Sequence, residues 1–150
     1  MRGFAGACSL ITLGDGDQAT GLVVTSGVSL TAEPPMVLAC VNRASSSWPL
    51  LAKLGRFGWS ALGSGDQAVA MRFSGMSGVQ GPARYDGADW VLEAGLRTLR
   101  DAPVAFVCGL DEMIARGPHS LVIGRVLTIR TNPGRGALIY WDGRYRGLAS

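Results

Sequence analysis

The sequence has one histidine, His119, and one lysine, Lys53, and both scarcities exclude chemistry. A single histidine leaves no HExxH pair and no histidine cluster for a metal. The three cysteines, Cys8, Cys40 and Cys108, form no CxxC and no other ligand spacing. Their apolar neighbours predict buried, inert thiols and a reducing, cytoplasmic setting. No pair of carboxylates suggests general acid–base work. There is no GxGxxG opening a helix and no GxxxxGK[ST], so a nucleotide held by a Rossmann turn or a P-loop is not expected. The longest strictly apolar run, residues 36 to 41, is far too short to cross a bilayer. The first five residues show no signal-type apolar core. No membrane partner is expected.

Charge is also sparse, at 17% of residues, against 47% apolar, which excludes a disordered chain. What is abundant is glycine, 22 of 150 residues, roughly twice the usual ~7%. That composition means many turns and close backbone approaches, and it favours strands. A chain of 150 residues is one domain's worth, 1–150, able to bury a core without disulfide or metal. From Met113 on there are six arginines against one acid, Asp142, a net of +5. Such a stretch suits a phosphate-bearing partner and equally a solvated face.

Strands are expected at 7–13, 20–26, 36–41, 56–61, 104–110, 120–129, 137–141 and 144–148, the last two joined by Asp142-Gly143. The run 36–41 reads as a strand buried on both faces. One helix should begin at Ser45-Ser46-Ser47, carry Pro49 in its opening turn and end at Gly55. A second should begin at Ser64, with Ser64 and Gln67 as a capping box and Val69, Phe73 and Met76 on one face. Residues 78–89 read as loop. Strands outnumber helices, which argues for a mainly β, antiparallel barrel, closed or partly open, with two short helices. A doubly wound sheet is disfavoured, because the second half has no helices to cross over.

Four stretches can carry chemistry. In Val41-Asn42-Arg43-Ala44-Ser45-Ser46-Ser47 a strand ends, hydroxyls follow and a helix starts, a pattern that fits a phosphate cradle or ordinary helix capping. Val24-Thr25-Ser26-Gly27 puts hydroxyls and bare backbone at a strand end, suited to a polar ring edge or to a plain turn. His119 should share a strand face with Leu121 and Ile123, as a ligand contact or as a structural residue. The hairpin tip Trp141-Asp142-Gly143-Arg144-Tyr145-Arg146 mixes aromatics with arginine, which can stack flat rings and hold phosphates, RNA included. With aromatics at 7% and one lysine, no nucleic-acid partner is expected.

In order, the chain resembles the flavin reductase family with its FMN-binding split-barrel fold. Arg2-Gly3-Phe4-Ala5-Gly6 resembles the family's opening "RxFATG". Gly21 to Leu38, through Thr25-Ser26 and Glu33-Pro34-Pro35, resembles "GMTVSSFTSVSLDPPLVL". Cys40-Val41-Asn42-Arg43-Ala44-Ser45-Ser46 is similar to the "CvdrsSxT" turn, and Arg72-Phe73-Ser74-Gly75 to "RFAG". Gly117-Pro118-His119 through Gly124-Arg125-Val126 resembles "GDHtifiGeV", and Tyr140 to Arg146 resembles "YyrGrYrrL". Where the family carries an aromatic after its serine pair, this chain has Gly27.

The resemblance implies a Greek-key split barrel and an NAD(P)H-dependent flavin reductase. Its cofactor is FMN or FAD, and NADH or NADPH is the co-substrate. It further implies a homodimer and, as in many members, a flavin-dependent monooxygenase that receives reduced flavin. By position, Thr25, Ser26 and Gly27 would meet the flavin ring. Asn42, Ser45, Ser46 and Ser47 would line the ribityl and phosphate side, with Arg72 and Phe73 nearby. Tyr140 and His119 would stand by the nicotinamide, His119 as the one candidate for a catalytic role, and Arg144 would also contact cofactor. The chemistry, hydride transfer between two cofactor rings, needs no acid–base pair from the protein. A flavin-binding module without turnover is the alternative.

Overall fold

β-branched and aromatic runs broken by glycine-rich turns give the chain twelve strands and two short helices. The computed structural model describes residues 1–150. In chain order the strands are β1 (Gly6–Ala7), β2 (Ser9–Leu13), β3 (Thr20–Val24), β4 (Val28–Thr31) and β5 (Met36–Asn42). Helix α1 (Trp48–Leu54), β6 (Arg56–Ala61) and helix α2 (Gln67–Phe73) follow. Then come β7 (Trp90–Glu93), β8 (Leu96–Leu99), β9 (Val104–Arg116), β10 (His119–Thr131), β11 (Ala137–Trp141) and β12 (Arg144–Leu148).

Seven strands make one antiparallel sheet in the order β3-β2-β6-β9-β10-β5-β4. Side chains from β2, β3, β5, β6, β9 and β10 meet in a single core that includes Ile11, Leu22, Val37, Val41, Phe57, Trp59, Cys108 and Val122. A sheet whose strands all point into one core is curled into a barrel. It does not close. β3 comes near β5, yet no ladder joins them, so the barrel is split along that seam.

A second core lies on the outer side of β2, where Cys8, Leu10, Leu62, Ala70, Phe73, Tyr85, Leu99 and Leu138 pack together. It is roofed by α2 and by the small sheet β1-β11-β12. β2 is therefore buried on both faces at every residue. The expectation of that status for 36–41 is corrected. In β5, Val37, Ala39 and Val41 are buried, while Met36, Leu38 and Cys40 on the other face are only half-buried. Nothing equivalent to α2 covers that face.

All eight expected strands form, and the two best ones extend to thirteen residues each in β9 and β10. Three strands were not expected. β4 is short and exposed throughout. β7 and β8 are joined through Ala94 and Gly95, both at positive φ (50° and 82°). That turn normally announces itself as Asn-Gly or Asp-Gly, so Ala-Gly conceals the hairpin. α1 ends as expected on Gly55 in the left-handed region, whose N–H donates to the Leu51 carbonyl. α2 starts later than Ser64, and the capping box does not form. Ser64 Oγ donates to the Arg135 carbonyl instead, and Asp66 Oδ2 accepts from the Gly63 N–H at 2.7 Å. Within the expected loop 78–89, Gly81–Tyr85 makes a 3-10 turn.

The arginine-rich last third is partly neutralised by the fold. Arg125 pairs with Asp111, Arg130 with Glu93 and Arg135 with Asp101.

Candidate functional site

The seam opens onto a cavity of about 550 Å³, within the range of small-molecule sites. One wall is the free edge of β3 with the loop after it, from Leu22 to Ser26. Facing it are Cys40 and Asn42 of β5 and, beyond the strand, Ala44, Ser45 and Ser46. Phe73, Ser74 and Gly75 close it at the end of α2, Arg84 lies on its wall, and His119 contributes from the start of β10. No carboxylate lines the cavity.

Each wall has a local cause. Ser26 Oγ accepts from the Cys40 N–H at 2.9 Å and donates to the Cys40 carbonyl at 3.1 Å, so one hydroxyl stands in for a missing rung of ladder across the seam. Gly27 has no room for a side chain, because a Cβ there would lie 2.4 Å from the Trp59 ring. Where the family carries an aromatic, the space beside Gly27 is filled by Trp59 of the barrel core. At the turn after β5, Asn42 Oδ1 accepts from the Ala44 N–H, and the Asn42 carbonyl accepts from the Ser45 N–H. These bonds hold Ser45 and the exposed Ser46 toward the cavity. His119 pairs in register with Asn42, so it stands exposed at the rim on the same side of the sheet. Leu121 and Ile123 follow on that face, and Ser120 and Val122 are buried on the other.

The structure thus brings together Thr25, Ser26, Asn42, Ser45, Ser46, Phe73 and His119. It sets others apart. Ser47 is fully buried. Its Oγ donates to the Gly21 carbonyl at 3.1 Å and shares a hydrogen bond with Thr20 Oγ1 at 3.0 Å. Arg72 turns away from the cavity, donates to the Ala83 and Arg84 carbonyls and lies 3.9 Å from Asp86. Arg43 donates to the Gly117 carbonyl. Tyr140 lines a separate hollow of about 610 Å³ with Phe4, Gly6, Thr25, Ser26 and Asp142, so Thr25 and Ser26 belong to both spaces. Arg144 lies on a groove farther along the same hairpin.

Sequence reasoning missed Arg84. It is 7% exposed, its Nε donates to the Val79 carbonyl at 3.0 Å and its Nη1 donates to the Gly21 carbonyl. Nη2 makes no hydrogen bond within the chain, and Arg84 lies on the cavity wall. Burial pulls the guanidinium below its ordinary pKa, with Tyr85 acting the other way. Arginine stays charged even so. Nothing in Gly81-Pro82-Ala83-Arg84-Tyr85 distinguishes this arginine from the other twelve, since its role depends on a fold that buries it.

The cysteines also divide. Burial raises the Cys8 thiol to about 11 and the Cys108 thiol to about 12. Cys40 is half-buried on the cavity wall, not sealed as the sequence suggested.

One end of this cavity offers hydroxyls, an amide and a held guanidinium, which is a setting for an anion. The other end offers strand edge and apolar wall, which suits a flat polar ring. Residues 1–149 match the model of the flavin reductase like domain. The FMN reductase (NADH) RutF of Pseudomonas syringae pv. syringae (strain B728a) is 33% identical, with all of this chain and 84% of that protein covered. BorF, the flavin reductase component of a bacterial two-component tryptophan halogenase, superposes with a TM-score of 0.90 at 31% identity, over 99% of this chain and 94% of that one. The Streptomyces globisporus NADH:FAD oxidoreductase SgcE6, in complex with NAD and FAD fragments, gives 0.88 at 27% identity, over 99% and 88%.

Proposed function

Because this chain belongs to the flavin reductase-like domain family, we propose that it is an NAD(P)H-dependent flavin reductase that works with FMN or FAD. The observation that carries the reading is the seam cavity, with a buried guanidinium and hydroxyls at one end and a strand edge at the other. NADH is the electron donor printed for the Pseudomonas and Streptomyces relatives.

A bound flavin would supply the redox chemistry, with a nicotinamide as the hydride source. The protein's residues bind and orient. Arg84, Ser45 and Ser46 would hold the phosphate end by charge-assisted hydrogen bonds. Thr25 and Ser26 would meet the ring edge, with Phe73 on the wall beside it, while Gly27 packs on Trp59 and lies outside the cavity lining. His119 at the rim would donate a hydrogen bond that orients the nicotinamide without moving a proton. Tyr140 borders the adjoining hollow, which would admit the second ring. Ser47 and Arg72 serve at one remove. Ser47 and Arg84 share the Gly21 carbonyl, and Arg72 holds the carbonyls of the turn that bears Arg84.

The same reading extends to a homodimer and a partner oxygenase. Val28 and Leu30 lie exposed on the edge strand β4, and Leu127 and Ile129 on β10, apolar side chains that a second copy would cover. BorF serves a halogenase. No helix is long and apolar enough to cross a membrane, and the three free cysteines suit a reducing cytoplasm.

Oxidation of NADH followed at 340 nm on adding FMN tests the function. A steady rate that depends on flavin is expected. Flavin binding with no NADH oxidation would leave a flavin-binding module.

A further inference from the structure

Residues 34–65 and 113–141 contain no aspartate or glutamate. The fold brings these two stretches together at one end of the seam. The Arg43 N–H donates to the Pro118 carbonyl at 2.9 Å, and its Nη2 donates to the Gly117 carbonyl. His119 pairs in register with Asn42 of β5 on one side and with Arg116 of β9 on the other. Residues directly opposite on antiparallel strands project from the same face. Asn42, His119 and Arg116 therefore stand in a row, and the first two line the cavity. We propose that Arg43 and Arg116 form an entry funnel, which draws a phosphate-bearing ligand to the seam from a distance and does not touch it once bound.

Both charges are free to act. Arg125, Arg130 and Arg135, the other arginines of 113–141, are paired with carboxylates, and Arg116 is not. Its Nη1 donates only to the Ala115 carbonyl, at 2.7 Å. Arg43 likewise has a carbonyl as its partner, which accepts a hydrogen bond and leaves the positive charge uncancelled. Both side chains are exposed, and neither lines the cavity. β5 and β10 carry no acid. The closest one along β9 is Glu112, roughly 13 Å from Arg116 at ~3.3 Å per residue and beyond the ~10 Å screening length of 0.1 M salt. Inside, no carboxylate lines the cavity, and Arg84 on its wall has the same sign as the funnel.

A cleft lined by one sign of charge focuses its field and raises the capture rate of an opposite charge. A charge at the rim acts on association, whereas one in contact with the bound ligand acts on dissociation. A funnel outside the lining speeds capture and leaves release alone. That suits a protein proposed to hand its reduced flavin on.

The inference rests on the proposed function for the ligand, FMN, whose phosphate would settle by Ser45 and Ser46 at this same end. Stopped-flow fluorescence gives the association and dissociation rates of FMN and of riboflavin, which lacks the phosphate. In the natural chain, FMN association should slow by about tenfold between about 0.02 M and about 0.5 M salt, and riboflavin association by less than about twofold. At low salt Arg116→Glu should slow FMN association by about fivefold and Arg43→Gln by less, with dissociation unchanged within about twofold. Arg100→Glu makes the same change in net charge as Arg116→Glu, but at the far end of β10, where the Arg100 carbonyl accepts from Asn132 Nδ2 at 3.0 Å. It should leave the FMN rate as it is.

Salt-independent FMN association overturns the funnel and leaves the functional reading standing. Equal slowing by Arg116→Glu and Arg100→Glu also overturns it, since net charge alone would then act. So does an effect on dissociation only, which would make Arg116 a ligand contact. The same variants assayed for kcat/KM with NADH identify the source. A fall for FMN alone assigns the funnel to the flavin, and a fall for both assigns it to phosphate-bearing ligands in general. Salt-dependent capture of FMN by a protein that never oxidises NADH fails the reductase reading and keeps the funnel.

Discussion

Arg84 concentrates the energetics of the proposed phosphate end in a single side chain. Its two protein contacts fix it before any ligand arrives, so little side-chain freedom is lost on binding. A charged hydrogen bond contributes about 1.5–3 kcal/mol. Arg84→Gln should therefore weaken FMN binding by tenfold or more and riboflavin binding much less, as measured by flavin fluorescence titration. Equal losses for both flavins would remove the phosphate from this end of the cavity. His119 makes a different demand. It sits at the rim, where the proposed nicotinamide would enter. His119→Ala should lower kcat/KM for NADH by about one power of ten, near 1.4 kcal/mol, with FMN affinity kept within about twofold. Stopped-flow traces paired with a flavin titration separate the two ligands. A large loss of FMN affinity with normal NADH kinetics would reassign the residue.

At the scale of elements, Ser26 does two jobs. Besides lining the cavity, it ties the loop after β3 to the backbone of β5. Ser26→Ala removes both hydrogen bonds and leaves the Cys40 peptide short of a partner, at roughly 1–3 kcal/mol. Its melting temperature should fall by several degrees, since each kcal/mol moves a domain of this length by about 2–4 °C. An unchanged melting curve would mean that the seam does not depend on this hydroxyl. The same region marks how far the sequence could be read. Strands with a clean apolar period, such as β6 and β11, were legible end to end. Thr25, Ser26, Asn42, Ser45 and Ser46 were legible because hydroxyls and amides cluster at two strand ends. Arg84 was not, nor was the burial of Ser47, because both follow from which elements pack across Gly21, a tertiary fact with no local period. β7–β8 stayed hidden behind an Ala-Gly turn that only the folded backbone makes sense of.

For the whole molecule, the exposed apolar side chains on β4 and β10 predict association. Light scattering at micromolar concentration should give about twice the 15.7 kDa of the chain, and a monomer mass would leave those side chains without their proposed cover. The two buried cores set a limit in alkali. Burial lifts the Cys8 and Cys108 thiols to about 11 and about 12, above the 9.0 of an exposed thiol, because desolvation disfavours the thiolate. The unfolded chain therefore loses these protons first. Stability from this source is intact below pH 9 and declines as pH rises through 9 toward 11 and 12. Tyr85 and Tyr145, raised by the same cause, add to the slope. Denaturant midpoints measured at pH 8 and pH 10.5 should differ in that direction, and Cys108→Ala should flatten the difference.

The open seam has one more consequence. A fully laddered barrel would hold its shape by its own backbone, and a ligand could be added or removed with little effect on it. Here β3 keeps an unpaired edge, and the proposed guest lies against that edge. The guest then completes the wall much as a keystone completes an arch. A ligand that binds only the folded form at a hundred times its dissociation constant adds about 2.7 kcal/mol of stability. For a protein whose proposed business is to give its reduced guest away, this sets a ceiling on how tightly the arch can close. Every improvement in the fit of the wall lengthens the wait before the next delivery.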